Sequence, residues 1–296
     1  MDPRGRAGPP GEPRRIAYLY LAPALLVFVL FLLFPLLRSM WLSLYEWNGL
    51  TVGTWVGLDN YADVLTDPEL RRPFLNALLL IVFFSFVPVL LGLGLAALMA
   101  RNPLPGSGFF RSVLFLPQVI ALVVVGVAWR DIFAPQGQLN SALRAVGLDS
   151  WTRAWLGDPT FALVTVGVVG TWVGTGLCVV LFLAGLAKVP RELYEAARLD
   201  GAGAVREFFA VGLPALRGEI AVALTLTVVA ALRTFDLVYV MIGSTGERSR
   251  VPSYEVYDRA MLKGEVGTGV TIALLLTAVI LVATVLINRL SERADG

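Results

Sequence analysis

Apolar side chains gather in six blocks along the chain, at roughly residues 16–37, 75–100, 112–133, 160–187, 219–243 and 269–288. Each reaches the ~20 residues that a helix needs to cross a bilayer. Charged residues are clumped between the blocks rather than spread through them. The pattern predicts an all-α integral membrane protein with six transmembrane helices, because backbone groups in lipid must be paired within their own segment. Residues 1–15 are rich in Pro, Gly and Arg and read as a disordered N-terminus. Arg4, Arg6, Arg14 and Arg15 precede the first block, which is also how a secretion signal begins. The block is longer than a signal core, and no small-x-small cleavage site follows it, so it reads as a retained anchor.

The polar stretch between the fourth and fifth blocks, residues 188–218, is ordered by its own sequence. Pro190 pre-sets a first helical turn, and Glu192 lies in that turn, where the helix dipole favours an acid. Leu193, Ala196 and Ala197 share one face by their spacing. Asp200-Gly201 is a turn signal, and a positive φ is expected at Gly201 because glycine adopts it cheaply. Val205, Phe208 and Phe209 repeat the apolar spacing, and Leu213-Pro214 closes the second run. Two short helices with an apolar edge on a membrane surface need a partner.

The other connections are more conventional. Residues 38–74 carry Trp41, Trp47, Trp55 and Tyr61, suited to a membrane interface. The third block is expected to break at Leu116-Pro117, and residues 134–159 form a loop expected to hold a short helix at 138–146. Gly92-Leu93-Gly94-Leu95-Ala96-Ala97 resembles a dinucleotide fingerprint, but no strand precedes it, and helix packing explains it better. Gly170 and Gly174 form a small-xxx-small pair for close helix approach. The single cysteine, Cys178, lies in an apolar run and offers neither a disulfide nor a metal site.

Composition narrows the function. Hydrophobic residues make up 57% of the chain and charged ones 16%, which excludes an ordinary soluble domain. The net charge of +2 gives no nucleic-acid surface, and the basic residues act instead on topology. Loops 1–15, 101–111, 188–218 and 289–296 carry 13 Lys or Arg, whereas the longer opposite set, 38–74, 130–159 and 244–268, carries 10. That bias places both termini and the 188–218 loop in the cytoplasm. There is no histidine, the commonest general base and metal ligand. The two lysines, Lys188 and Lys263, precede Val189 and Gly264, so neither completes the Gly-Lys-Ser/Thr end of a phosphate-binding loop. Neither a metal site nor a nucleotide cofactor is expected in this chain, and an ATP-driven process would need a separate ATPase.

Two charges fall inside a predicted span, Arg233 and Asp236, three apart on the fifth. One reading pairs them locally for packing, and the other puts them on a solute pathway. Phe235 and Tyr239 flank them; such rings suit sugar binding or the membrane interface equally, as do Trp129 and Trp172.

The residues now resemble a family. Glu195-Ala196-Ala197, Arg198-Leu199-Asp200, Gly201 and Ala202, then Val211 and Leu213-Pro214, match the EAA signature of ABC-importer permeases, with Val211 where Ile is usual. Trp55 through Tyr61, Leu116-Pro117, Phe182 through Leu186 and Phe235 through Val240 resemble the maltose- and glycerol-phosphate-type sugar permeases. Ile242 through Glu247 depart from that group's Thr-Gly-Gly-Gly-Pro. The resemblance implies a type I permease domain over residues 72–289 and a cytoplasmic coupling helix at Glu195–Gly201. It also implies a heterodimer with a second homologous permease, two ATPase subunits that bind ATP and magnesium, and an extracellular solute-binding protein. The expected setting is the inner membrane of a bacterial or archaeal cell. An ion-coupled secondary transporter using Arg233 and Asp236 is the competing function.

Overall fold

The computed structural model describes residues 14–101, 106–243 and 247–295. The fold is a helical bundle with one short antiparallel hairpin, Tyr45 opposite Trp55 and Glu46 opposite Thr54. Most of residues 1–15, expected to be disordered, lie outside the described set, but Arg14 and Arg15 already belong to a helix.

That helix, α1 (residues 14–42), runs five residues past its predicted end and contains a π-helical turn at Val29–Leu33. From Tyr20 to Leu42 no residue is buried within the chain. It is tethered only where it ends. The Asn60 amide donates to the Ser43 and Tyr45 carbonyls at 2.8 and 3.0 Å, and the buried Ser43 hydroxyl bonds Tyr61 at 2.8 Å.

After α2 (Asp59–Thr66) comes the longest straight element, α3 (Pro68–Arg101, 34 residues), which starts seven residues before its predicted block. Asp67 caps it by accepting from the Glu69 amide at 2.8 Å, and Pro68 occupies the first turn, where a missing N–H costs nothing. At about 1.5 Å per residue its ends lie about 50 Å apart. Its partner is α7 (Ala162–Leu186), the most buried helix of the chain. Small residues set that approach. A side chain at Gly170 would overlap the Phe84 ring, one at Gly167 would meet Phe83, and one at Gly92 would meet Cys178. Gly174 has more room, with Phe84 and Pro88 at 3.5 Å. Two interior polar contacts join the helices: Ser85 with Thr227 at 2.6 Å, and Thr171 donating to the Phe83 carbonyl at 2.5 Å.

Two predicted spans are not single helices. The third divides into α4 (Ser107–Val119) and α5 (Leu122–Ile132), bent by 96°. The bend falls not at Leu116-Pro117 but at Ile120 and Ala121, which take extended backbone. Pro117 removes one bond from the turn before, and the helix runs on two residues, through Gln118 and Val119, before it yields. A short helix follows as expected, α6 (Gln138–Ala145). The loop around it is held by the buried Asn140, whose side chain accepts from Trp155 Nε1 at 2.9 Å and donates to the Arg153 carbonyl at 2.8 Å.

The 188–218 loop forms α8 (Arg191–Leu199) and α9 (Ala204–Ala215). The expected stop at Leu213-Pro214 is displaced by one residue. A π-helical turn at Phe208–Gly212 precedes the proline, and the helix runs through Ala215, with Leu216 as its cap. The fifth span then begins as α10 (Arg217–Leu232), at 71° to α9. It stops at Arg233, and a short α11 (Asp236–Met241) resumes after Thr234 and Phe235. A connector helix, α12 (residues 252–262), leads into α13 (Val266–Asp295). Counting each bent pair as one span, the described residues hold up to six membrane-length segments, and four if only unbroken helices are counted.

Candidate functional site

The loop that the sequence singles out turns on a glycine. Gly201 has φ +76°, as its turn requires, and carries no neighbour within 4 Å of a Cβ position. The Gly201 amide donates to Arg198 and the Ala202 amide to Ala197, at 3.0 and 2.9 Å, which ties off the carbonyls at the end of α8. No residue of α8 is buried. Glu195, Ala196 and Asp200 are exposed, and Leu199 is 89% exposed, with Leu193, Val205 and Phe209 more than half exposed around it.

Arg198 is the exception among the outward residues. Its Nε donates to Glu207 Oε2 at 2.7 Å and its Nη2 to Oε1 at 3.1 Å, a two-pronged pair across the turn. The Glu207 side chain is only 8% exposed. The arginine's hydrogen bonds hold that carboxyl below the usual glutamate range, against the opposing pull of burial. At the end of α9, Leu213 is half-buried and Pro214 exposed, while the capping Leu216 is fully buried against Gly185 on α7. Lys188 and Glu219 add a partly exposed pair at 3.0 Å beside this contact.

The break in the fifth span undoes the expected pairing of Arg233 and Asp236. A face shared at i, i+3 requires a continuous helix, and here Arg233 ends one helix while Asp236 starts the next. Both are exposed, and no ion pair joins them among those formed by the described residues. Arg233 instead lines an open groove of about 580 Å³ between α10, α12 and α13, with Ser253 and Thr277.

The aromatic candidates fall into two groups. Phe235 and Tyr239 stack at 5.1 Å, and Tyr254 and Tyr257 close around them at 5.6–6.3 Å. Trp129 stacks on Phe133 at 5.4 Å and meets Trp172 edge-on at 5.5 Å. Sequence reasoning named Phe235, Tyr239, Trp129 and Trp172 but missed Tyr254, Tyr257 and Phe133. The i, i+3 spacing of Tyr254 and Tyr257 was the available signal.

It also missed the ion network of the α11–α13 connector. Arg259 bonds Glu255 at 2.8 Å, Glu265 at 2.6 Å and Glu69 of α3 at 3.3 Å. Arg250 bonds Asp258 at 2.9 Å and Glu255 at 3.4 Å, and Lys263 joins Asp258 at 3.2 Å. Asn76 of α3 donates to the Arg248 and Arg250 carbonyls at 2.9 and 2.7 Å. Glu255 and Asp258 are buried, and the network closes upon itself.

Comparison with known proteins fits this geometry. The family model of the binding-protein-dependent transport system inner membrane component matches residues 77–295. The chain is 38% identical to the probable ABC transporter permease protein YurN of Bacillus subtilis, over 87% of its length and 89% of the relative. It is 31% identical to the diacetylchitobiose uptake system permease protein NgcF of Streptomyces coelicolor, over 100% and 90%. A solved bacterial alginate ABC transporter, in complex with an alginate pentasaccharide-bound periplasmic protein, shares the fold, with a TM-score of 0.78 at 20% identity over 94% of each chain. An ion-coupled secondary transporter finds no support beside these matches. This chain, with its signature loop and its broken spans, belongs to the family of inner membrane components of binding-protein-dependent transport systems.

Proposed function

We propose that the chain is one of two membrane-spanning halves of an ATP-driven importer for a saccharide or a related polyol or glycerol-phosphate-like solute. One observation carries the reading: the 188–218 loop holds Leu193, Leu199, Val205 and Phe209 outward on a glycine turn at one end of the bundle. Apolar groups displayed on an ordered turn call for a protein partner. An ATPase suits, because the chain has no phosphate-binding lysine motif of its own.

In this reading the chain is a transport subunit, and ATP hydrolysis belongs to two ABC ATPase subunits that bind ATP and magnesium. A second homologous permease completes the membrane part, and an extracellular solute-binding protein delivers the solute. The assembly sits in the inner membrane of a bacterial or archaeal cell, with this chain's termini and 188–218 loop in the cytoplasm, as its basic residues favour. Closure of the ATPases pushes α8 and rocks the spans between inward- and outward-facing states. The carbohydrate assignment draws on relatives such as NgcF and on the aromatic faces of Trp129, Trp172, Phe235 and Tyr239, flat surfaces that suit sugar rings. Arg233 and Asp236, which form no ion pair with each other among the described residues, supply polar contacts beside Phe235 to the same path.

The test is uptake into proteoliposomes containing the chain and its co-purified partners, across maltose, lactose, diacetylchitobiose and a uronate oligosaccharide. ATP-dependent uptake of at least one saccharide, lost without the ATPase, is expected. Uptake that follows an ion gradient without ATP would contradict it.

A further inference from the structure

The coupling loop has a hinge and a brace. Gly201 and Gly203 flank the junction of α8 and α9, and a Cβ at either would meet no atom within 4 Å, so neither glycine is packed in place, although Ala202 between them is half-buried. With no buried residue, α8 has no core of its own to hold it, and it packs chiefly on α9. A push on such a helix would spend itself in rotation about the glycines. What spans the hinge is the Arg198–Glu207 pair, nine residues apart in sequence and two-pronged in geometry. Two parallel N–H···O bonds fix orientation as well as distance, which a single contact does not. On the far side, Glu207 is buried in α9, with Tyr194 and Arg101 of α3 in electrostatic reach. From α9 the path continues through Leu216 into Gly185 of α7 and the start of α10.

We propose that Arg198 and Glu207 are positioning residues that lock α8 to α9 as one lever, so that force received on α8 reaches the spans. The inference rests on the reading of α8 as the ATPase-docking helix. Arg198 is more than half exposed, and water screens such a pair enough that it adds little to overall stability. Its loss should therefore show in mechanics and not in yield.

The experiment uses the assembled transporter in nanodiscs, with nitroxide labels at residues 192 and 215 on either side of the hinge. Cys178 is buried and free, so it stays out of the labelling. Wild type should give one narrow distance distribution. Arg198→Ala and Glu207→Gln should each broaden it, and should lower saccharide uptake per ATP hydrolysed by about fivefold or more, the low end of coupling between sites. The charge reversal Arg198→Glu with Glu207→Arg should restore both readouts. An unchanged distribution in the single variants, or no recovery in the reversal, would overturn the brace. Leu199→Asp separates the two ideas. If it leaves the ATPase attached, the docking reading fails. If it releases the ATPase while the single variants keep wild-type distances and coupling, the brace alone fails.

Discussion

Helix α3 carries a polar region at each end, and the two are built on opposite plans. At its start, the connector around α12 folds its charges onto one another: Arg250, Glu255, Asp258 and Arg259 form interlocked pairs, tied to Glu69 and Asn76. At its far end, near Arg101, the 188–218 loop turns apolar side chains outward and closes the Arg198–Glu207 ion pair inward. The connector pairs its charges with one another, leaving the Nε of Arg250 without a partner among the described residues and Met261 and Leu262 exposed. The loop leaves apolar surface uncovered. A region that is complete alone is structural, and one complete only when covered is where another protein acts.

The largest expected effect is on the closed side. Glu255 serves both Arg250 and Arg259, so Glu255→Ala would leave two buried guanidinium groups short of a partner. Removing one member of a buried pair costs about 3–5 kcal/mol. Thermal unfolding of the purified protein in detergent should show that loss, and a change below about 1 kcal/mol would mean the network is effectively solvated.

Next comes the turn of the open side. Gly201→Val puts a β-branched residue at φ +76°, a strain of about 1–2 kcal/mol confined to the loop. The bundle should insert and melt as before while uptake per ATP collapses. Wild-type coupling in this variant would remove the need for the glycine.

Smaller still is the effect of Arg233. With no carboxylate bonded to it, Arg233→Ala should change stability by no more than about 0.5 kcal/mol, and Arg233→Ala and Asp236→Ala should be additive. A double variant more stable than the sum of the single ones would restore a direct pair, and would be read in the same melting experiment.

The mildest perturbation is acid. Glu207 has its pKa lowered by Arg198, so the pair's contribution is present above the ordinary glutamate value and is lost as pH falls through the lower, folded one. The 192–215 label distance should stay narrow through about pH 4.3, where an unperturbed glutamate titrates, and broaden only below it. Broadening that begins above that value would mean the carboxyl is not held by the arginine.

Sequence periodicity captured the blocks that cross as helices because a span is a local property: about 20 apolar residues suffice. It captured the Gly201 turn for the same reason, since Asp200-Gly201 and the flanking faces act over a few residues. It placed the break of the third span a few residues early, at Leu116-Pro117, and missed that of the fifth. Nothing in Leu232-Arg233-Thr234-Phe235 announces a helix end, because no Pro or Gly stands there; the break belongs to tertiary packing, with Val240 of the resumed helix seated on Gly126. Arg198–Glu207 and Arg259–Glu69 were illegible for a related reason. Their partners lie across a turn or far along the chain, so no spacing rule joins them. The signature loop was legible as a surface, and its internal mechanics were not.

The contrast between the two ends can be read directly with a photoactivatable residue placed at Leu199 or at Met261, which is 74% exposed on the connector. Irradiation of membranes holding the assembled transporter, followed by mass identification of the adduct, should give the ABC ATPase subunit from position 199 and none of it from position 261. An ATPase adduct at 261, or its absence at 199 while the complex is intact, would contradict the assignment of the 188–218 loop as the site where ATP-driven motion enters this chain.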